Sequence, residues 1–324
     1  MRSREALGGC NMQAAPGKGR QSGRRIVRFG LTLGAVTVSM WASAEAQTLD
    51  RIRSSSTVKL GYDATARPFS FKAEGESATG YAVSLCMEVV EELKRELGIA
   101  DLAVEWIELT REAADHAIRQ GSADLFCGAS PVTLTRRKEV SFSIAIFPSG
   151  TGAVLNASAP LALREVLTQG RPSDRPIWRG SPARTVLNQK TFSPIAGTTS
   201  EDWLAERIKT FQLSATIAAV ENYDQGIANI LNGESDVLFG DLPLLLDAAA
   251  RGENSGDLIV LKRHFTYEPL ALVLARNDED FRIVVDRALS RTYRSEDFPA
   301  FFSEWFGPPD DTIVTFFRQT TLPE

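Results

Sequence analysis

Two charged residues of opposite sign each follow a short apolar run of the sequence. Arg136 comes after the run at Leu125 to Cys127, and Asp241 comes directly after Val237 to Gly240. A guanidinium binds a carboxylate bidentately, and an aspartate accepts hydrogen bonds from an ammonium group. Taken alone, each residue also has a plainer interpretation. Arg136 would be a solvated surface arginine, and Asp241 would cap the helix that follows it.

Further polar residues lie where other strand patterns end. They are Asp63, Ser130, Thr133, Thr198 and Thr199. Open α/β sheets bind ligands beyond the carboxyl ends of their strands, so these side chains are candidates for one cleft. Hydroxyl residues at a helix start leave backbone amides pointing outward, which suits a carboxylate. Plain helix capping accounts for Thr198 and Thr199 as well.

One spacing of residues occurs twice in the chain. Gly121, Asp124 and Gly128 bracket the first apolar run, and Gly233, Asp236 and Gly240 bracket the second at identical intervals. A helical pattern precedes each set, which indicates two copies of one supersecondary unit. Two lobes with complementary charge, Arg136 in one and Asp241 in the other, would then face each other.

Signatures of catalysis or of metal binding are missing from the sequence. The two histidines, His116 and His264, have no partner at metal-ligand spacing. The chain has neither a nucleophile elbow nor a phosphate-binding loop. We therefore expect no metal, no cofactor and no enzymatic activity.

Composition sets the class of protein. A length of 324 residues predicts two domains, and 43% hydrophobic with 24% charged residues is ordinary for a globular protein. The net charge of −5 argues against nucleic acid as a partner, because a phosphate binder needs a concentrated basic face. We expect a monomer.

The first 46 residues predict an export signal. Four arginines between positions 20 and 28 precede an apolar run at 29–41, and the small residues at 42–46 offer cleavage sites before Gln47. The run is short for a bilayer span, although an uncleaved anchor is the alternative. The mature chain is therefore expected in the periplasm.

Two cysteines remain after such cleavage. Cys86 and Cys127 would form a disulfide in an oxidising compartment, and two buried free thiols are the alternative.

Hydrophobic periodicity predicts an α/β fold. Strand and helix patterns alternate from Thr57 to the second apolar run, which implies parallel sheets covered on both faces. We expect lobe 1 over 47–149 and 268–324, and lobe 2 over 150–267, with two Rossmann-like lobes joined by two crossing strands. The proline-rich residues 157–190 show no strong periodicity and predict a surface insertion.

From Thr57 to Gly307 the chain resembles the family 3 extracellular solute-binding proteins, the periplasmic amino-acid receptors of ABC transporters with the type II periplasmic-binding fold. The order and spacing of several short matches support this resemblance: Pro68-Phe69, Gly80-Tyr81 with Leu85-Cys86, Asp124 to Gly128, Arg136 to Lys138, Phe142-Ser143, Gly197 to Glu201, Gly240-Asp241 and Trp305-Phe306.

The resemblance implies a binding site and its roles. Arg136 would clamp the ligand α-carboxylate with help from Ser130, Thr198 and Thr199, and Asp241 would take the α-ammonium. The full set of implied ligand-binding residues is Asp63, Phe69, Gly128, Ser130, Thr133, Arg136, Thr198, Thr199, Tyr223 and Asp241. Cysteines at the positions of Cys86 and Cys127 occur together in one branch of the family, which favours the disulfide.

The sequence departs from the family pattern at three places. Members that resemble glutamate and aspartate binders have an arginine in place of Asp63 and often a histidine in place of Tyr223. Pro131 stands where a hydroxyl residue is usual and removes an amide donor. The insertion at 157–190 is also longer than usual.

We therefore expect a periplasmic receptor for a polar amino acid whose side chain donates hydrogen bonds, glutamine or a basic residue rather than an acidic one, with an ABC-transporter permease as its partner. A dehydratase-like lyase on the same scaffold and a sensory ligand-binding module are the alternatives.

Overall fold

The computed structural model describes residues 48–73, 75, 77–169, 182–252 and 255–324. The predicted signal peptide at 1–46 lies outside these residues, as does the part of the predicted insertion at 170–181. Along the described part of the chain, none of the helices combines the length and hydrophobicity needed to cross a membrane.

Strands and helices alternate through most of the described chain. The strands are β1 (Thr57–Tyr62), β2 (Thr65–Ala66), β3 (Ser70–Lys72), β4 (Ala78–Thr79), β5 (Ala103–Glu108), β6 (Leu125–Pro131), β7 (Ser141–Phe147), β8 (Thr151–Asn156), β9 (Thr191–Pro194), β10 (Thr216–Ile217), β11 (Val237–Asp241), β12 (Leu258–Val260) and β13 (Leu270–Leu274). The helices are α1 (Thr48–Ser55), α2 (Tyr81–Leu97), α3 (Arg111–Arg119), α4 (Leu161–Gln169), α5 (Pro182–Leu187), α6 (Thr199–Thr210), α7 (Tyr223–Asn232), α8 (Leu242–Arg251), α9 (Glu279–Arg294), α10 (Phe298–Phe306) and α11 (Asp311–Thr320).

Two five-stranded sheets define two lobes with the same layout. The sheet of lobe 1 has the order β5-β1-β6-β13-β7, and the sheet of lobe 2 has the order β10-β9-β11-β8-β12. The first three strands of each order are parallel and the last two pairings are antiparallel. The predicted parallel arrangement is confirmed for β1, β5 and β6 in lobe 1 and for β9, β10 and β11 in lobe 2, and the remaining pairings make each sheet mixed. The antiparallel strands β13 and β8 are the ones that enter each lobe from the other.

The chain passes between the lobes twice. The first passage lies between β7 and β8, and the second lies between β12 and β13. The two passages are hydrogen-bonded to each other, since the amide of Glu268 donates to the carbonyl of Ser149 at 2.7 Å and the amide of Phe265 donates to that of Thr151 at 2.8 Å. We propose lobe boundaries at 149/150 and 267/268, inside these passages.

The repeated residues perform the same structural task in each lobe. Asp124 accepts a hydrogen bond from the amide of Lys59 in β1 at 2.7 Å, and Asp236 accepts one from the amide of Thr191 in β9 at 2.8 Å. Each aspartate thereby fixes the start of one central strand to its parallel neighbour. Gly121 and Gly233 end the preceding helical turns with φ of 67° and 76°, a left-handed conformation that glycine adopts without steric cost.

The core of lobe 1 lies between its sheet and helices α2, α9 and α10. The inner face of α2 is buried in this core at Leu85, Val89 and Leu93. Cys86 on α2 and Cys127 on β6 form a disulfide with their Cα atoms 6.1 Å apart, which confirms the predicted bond and ties the helix to the central strand. The insertion that the sequence left unassigned contains α4 and α5, and the inner face of α4 is buried at Leu163 and Leu167.

Candidate functional site

Two neighbouring cavities lie between the lobes at the carboxyl ends of the parallel strands. The larger has a volume of about 300 Å³, and the smaller has about 180 Å³. Arg111 and Glu112 line both cavities, so the two are halves of one cleft. This is the position at which open α/β sheets bind ligands.

The structure brings six of the ten predicted ligand-binding residues to these cavities. The larger cavity is lined by Asp63, Tyr223 and Asp241, and the smaller by Arg136, Thr198 and Thr199. Both lobes therefore contribute to each cavity, as a site completed by lobe closure requires.

The other four predicted residues line neither cavity. Phe69 is fully buried in the core of lobe 1, where its ring packs against those of Tyr81, Phe147 and Phe306. Because Phe69 has no exposed surface, its ring is not available to a ligand in the cleft.

Three of those four lie in or just after β6. Gly128 and Ser130 are buried within the strand, and the Ser130 hydroxyl has no hydrogen-bond partner among the described residues. Thr133 accepts a hydrogen bond from the amide of Arg136 at 3.1 Å and so stabilises the turn after β6.

Asp241 is the most perturbed acid of the cleft. It is 5% exposed and precedes α8, but its side chain makes no capping hydrogen bond, so the capping interpretation is wrong. Burial, and then the nearby charge of Glu268, raise the pKa of Asp241 to about 6, while Arg111 and hydrogen bonds from Ser149 and Tyr223 oppose this. A buried carboxylate of this kind is stabilised by an incoming cation.

Asp63 provides a second carboxylate in the larger cavity. Its Oδ1 accepts hydrogen bonds from the amide and the hydroxyl of Thr65, each at 2.8 Å. Burial raises the pKa of Asp63, while those two hydrogen bonds and then the charge of Arg111 act in the opposite direction. The Oδ2 atom of Asp63 accepts none of the hydrogen bonds recorded among the described residues, which leaves it for a donor in the cavity.

The hydroxyls at the start of α6 bond within the protein. Thr198 donates to the carbonyl of Ile195 at 2.7 Å and accepts from the amide of Glu201 at 3.3 Å, which is helix capping. The hydroxyl of Thr199 donates to the carboxylate of Glu268 in the second passage between the lobes. Plain capping therefore describes Thr198, while Thr199 joins the helix to the hinge.

Arg136 is neither solvated nor free. Its Nε and Nη2 donate to the two carboxylate oxygens of Asp115 at 2.8 and 2.5 Å, and its Nη1 donates to the carbonyl of Pro131 at 2.8 Å. The guanidinium also lies 5.1 Å from the centre of the Phe142 ring. Only 20% of the side chain is exposed.

Sequence reasoning missed Arg111, the residue at the junction of the two cavities. It is the first residue of α3, after the N-cap Thr110, and its Nη2 reaches across the cleft to the carbonyl of Ala196 in lobe 2 at 3.2 Å. The repeat contained the signal that would have found it. Arg111 precedes Gly121 by the same interval that separates Tyr223 from Gly233.

An ion pair also joins the lobes. Arg67, in the loop after β2, approaches Asp247 on α8 with 3.8 Å between Nε and Oδ2. The described residues contain no group of three or more histidine, cysteine, aspartate or glutamate side chains that could hold a metal ion.

The fold and this site define an amino-acid receptor of the solute-binding class. Residues 58–308 match the model of the bacterial extracellular solute-binding proteins, family 3, and the chain belongs to that family. This confirms the resemblance seen in the sequence.

Relatives and solved structures agree with that family. The chain is 26% identical over 263 residues to an L-glutamate/L-aspartate-binding protein of Pseudomonas aeruginosa, with 81% of this chain and 80% of the relative covered. A crystal structure of an ancestral amino acid-binding protein described as a precursor of cyclohexadienyl dehydratase aligns with a TM-score of 0.61 and 23% identity, over 81% of this chain and all of that one.

A third comparison supports the two-lobed architecture. A substrate-binding protein of an ABC uptake transporter from Streptococcus pneumoniae, solved with bound histidine, aligns with a TM-score of 0.65 and 18% identity, over 81% of this chain and 97% of that one. The predicted type II periplasmic-binding fold, two Rossmann-like lobes joined by two crossing strands, is thus confirmed.

Proposed function

We propose that the protein is a periplasmic receptor that captures a polar amino acid with a hydrogen-bond-donating side chain and delivers it to an ABC-transporter permease. Glutamine and the basic amino acids are the favoured ligands. Membership of the solute-binding family supports the receptor role, and the charge of the cleft supports the ligand class.

The acidic wall of the larger cavity is the observation that carries this proposal. Five carboxylates line that cavity against the single guanidinium of Arg111. They belong to Asp63, Glu108, Glu112, Glu221 and Asp241. Such a wall attracts a cationic or amide side chain and repels a second carboxylate. The ligands named for the Pseudomonas aeruginosa relative are acidic, and the proposed ligand class differs from them.

A thermal-shift screen of the purified mature chain against the twenty common amino acids tests the proposal. Bound ligand raises Tm by mass action, and a ligand at about 100 times its Kd stabilises by about 2.7 kcal/mol. Glutamine, arginine, lysine or histidine should raise Tm, and glutamate and aspartate should not. A shift with glutamate or aspartate alone would refute the ligand class, and no shift with any amino acid would refute the receptor role.

A lyase is the second candidate, favoured by one observation. The pKa of Asp241, about 6, lies in the range that suits a general acid or base, and the residue lines the cleft. The ancestral structural neighbour is described as a precursor of a dehydratase. Loss of a bound ligand on prolonged incubation, followed by mass spectrometry, would favour the lyase, and unchanged ligand would favour the receptor.

A further inference from the structure

Glu268 lies in the second passage between the lobes, and both oxygens of its carboxylate accept hydrogen bonds. Oε1 accepts from the hydroxyl of Thr266 at 2.6 Å, and Oε2 accepts from the hydroxyl of Thr199, the first residue of α6. The amide of Glu268 donates to the carbonyl of Ser149 in the first passage at 2.7 Å. One residue thus connects both passages to the start of α6.

Neighbouring hydroxyls extend this network. The Thr266 hydroxyl accepts from the amide of Thr151, the first residue of β8, at 2.8 Å. The hydroxyls of Thr151 and Ser200 share a hydrogen bond at 2.9 Å, and both residues are buried. Side chains therefore attach the first turn of α6 to the two passages, and Glu268 is the charged member of the network.

The start of α6 is also one wall of the ligand cleft. Gly197, Thr198 and Thr199 line the smaller cavity together with Arg136. The hydroxyls of Thr198 and Thr199 donate within the protein, so the first turn offers a ligand carboxylate its backbone amides. The direction of those amides depends on how α6 is seated on the passages.

The charge of Glu268 acts on Asp241. The Ser149 hydroxyl donates to Oδ1 of Asp241 at 3.4 Å, and the carbonyl of the same serine accepts from the Glu268 amide. Burial and then the charge of Glu268 raise the pKa of Asp241, while Arg111 and the Tyr223 hydroxyl oppose this. Two neighbouring anions of which one is buried are stabilised when a cation joins them.

We infer that Glu268 is a positioning residue of the amino-acid site, which seats the start of α6 on the second passage and adds a negative charge beside Asp241. The first role directs the amides of α6 to the ligand carboxylate, and the second strengthens the binding of the ligand ammonium by Asp241. Glu268 lines neither cavity and acts through these neighbours. This inference rests on the proposed function, because it concerns the two ends of a bound amino acid.

Two substitutions of Glu268 separate these roles. Glu268→Gln keeps a side chain that can hydrogen-bond to both threonine hydroxyls and removes the charge, whereas Glu268→Ala removes both. Glu206→Gln is the matched control, because Glu206 is an exposed glutamate of α6. Circular dichroism verifies the folding of each variant. If Glu268→Ala does not fold, Thr199→Val replaces it, since it removes one hydroxyl and keeps the charge.

The titration of the Asp241 carboxyl group in the ligand-free protein measures the role of the charge. It is followed by carbon-13 NMR and assigned with Asp241→Asn. The midpoint, expected at about pH 6 in the parent, should move to lower pH in Glu268→Gln and stay unchanged in Glu206→Gln. A residue that only held α6 in place would leave the midpoint where it is.

Calorimetry with L-glutamine and L-arginine at pH 7 and pH 5 measures the consequence for binding. Glu268→Gln should bind about three- to tenfold less tightly than the parent at pH 7, the range expected for the loss of one partly shielded charge. At pH 5 the two proteins should bind nearly equally, because Asp241 is then mostly protonated in the parent and less so in the variant.

Hydrogen exchange under native conditions measures how firmly α6 is seated. In Glu268→Ala, peptides that cover the first two turns of α6 should exchange about tenfold faster than in the parent, because two hydrogen bonds to a charged group are lost. In Glu268→Gln they should exchange at the rate of the parent.

Three outcomes overturn the inference. The first is an unchanged Asp241 midpoint in Glu268→Gln. The second is a loss of affinity in Glu268→Gln that is the same at pH 7 and pH 5, which would leave Glu268 a purely structural role. The third is exchange of α6 in Glu268→Ala at the rate of the parent. Absence of binding of every amino acid by the parent would refute the proposed function instead, and the titration and the exchange would still decide the role of Glu268.

Discussion

The helices α3 and α7 begin at equivalent points of the two lobes and face one cleft with different chemistry. Thr110 caps α3 by accepting from the amide of Ala113, and Asn222 caps α7 by accepting from that of Gln225. The residue after each cap lines the larger cavity, and it is Arg111 in lobe 1 and Tyr223 in lobe 2. The shared geometry places both side chains at the larger cavity, and the side-chain type decides what each can bind.

The repeated aspartates and the residues that follow them also separate a shared structural role from a difference in the cavity lining. Asp124 and Asp236 are identical in type and in hydrogen bonding, and both act on the scaffold. Five residues further along the chain, lobe 1 has Ala129 and lobe 2 has Asp241, and both line the larger cavity. Lobe 1 thus supplies the Arg111 guanidinium of the larger cavity, and lobe 2 supplies the buried Asp241 carboxylate.

The disulfide of lobe 1 is expected to make the largest contribution to the difference in stability between the lobes. Cys86 and Cys127 are 41 residues apart in lobe 1, and the sequence has no cysteine between residues 150 and 267. Opening a loop of that length should lower the free energy of unfolding by about 4 kcal/mol in the chain-entropy model. Urea denaturation of the parent against the double variant Cys86→Ala with Cys127→Ala measures this loss.

Hydrogen exchange under native conditions separates the lobes in that variant. Amides of β1 and β6 should lose protection, while those of β9 and β11 should keep theirs. An equal loss of amide protection in both sheets would mean that the lobes unfold as one unit. The disulfide would then not make the two lobes differ in stability.

The next largest effect is expected for Asp241→Asn, which should weaken ligand binding. Removing one partner of a buried charge pair costs about 3 kcal/mol of affinity, or more than 100-fold. The same variant should raise Tm of the ligand-free protein near pH 7, because burial opposes ionisation of Asp241. The matched control is Asp224→Asn on α7, whose side chain is 73% exposed and pairs with Arg251. If both variants bind equally well, Asp241 is not the ammonium partner.

Ligand affinity should depend on pH through Asp241. An ammonium binds the ionised carboxylate, so with a pKa of about 6 affinity should fall about tenfold between pH 7 and pH 5. The charged or titratable groups that act on Asp241 are Glu268, Arg111 and Tyr223. Calorimetry at both pH values should show the fall in the parent and not in Asp241→Asn, and a flat parent profile would contradict the account.

The stability of the ligand-free protein should fall as pH rises, whereas ligand affinity should increase. The pKa of Asp241 is raised on folding from 3.8 to about 6. The unfolded chain therefore loses this proton first as pH rises, and the contribution of Asp241 to stability falls between about pH 4 and pH 6. Tm measured across that interval should decline less in Asp241→Asn than in the parent.

Tyr223→Phe should have the smallest effect. The Tyr223 hydroxyl accepts a hydrogen bond from the amide of Asp241 at 3.2 Å, and its loss should cost about 1 kcal/mol of stability. The hydroxyl also lowers the pKa of Asp241, so its removal should move the midpoint of the pH profile upward. An unchanged midpoint would show that Tyr223 does not act on Asp241.

Much of the scaffold follows from the sequence. The hydrophobic periodicity predicts nearly all the strands of the two main sheets and the helices that cover them. The repeat predicts two similar lobes, because the helix ends need the same glycine and the strand starts need the same aspartate in each lobe. Extending that repeat ten residues backward would have added Arg111 to the candidates.

The sequence does not show which charged side chains of the site form ion pairs with each other. Asp115 and Arg136 are 21 residues apart and meet only because α3 and the turn after β6 pack together. Phe69 is hidden from the cleft for a similar reason, since rings from distant segments, Phe147 and Phe306, enclose it. Local patterns identify side chains that suit a ligand, but tertiary contacts decide which of them remain free.

A crystal structure with the tightest-binding amino acid would test the central claim most directly. The account predicts the ligand ammonium on the carboxylate of Asp241 and the ligand side chain beside the other carboxylates of the larger cavity. An ammonium bound elsewhere, or a side chain that lies away from those carboxylates, would contradict it.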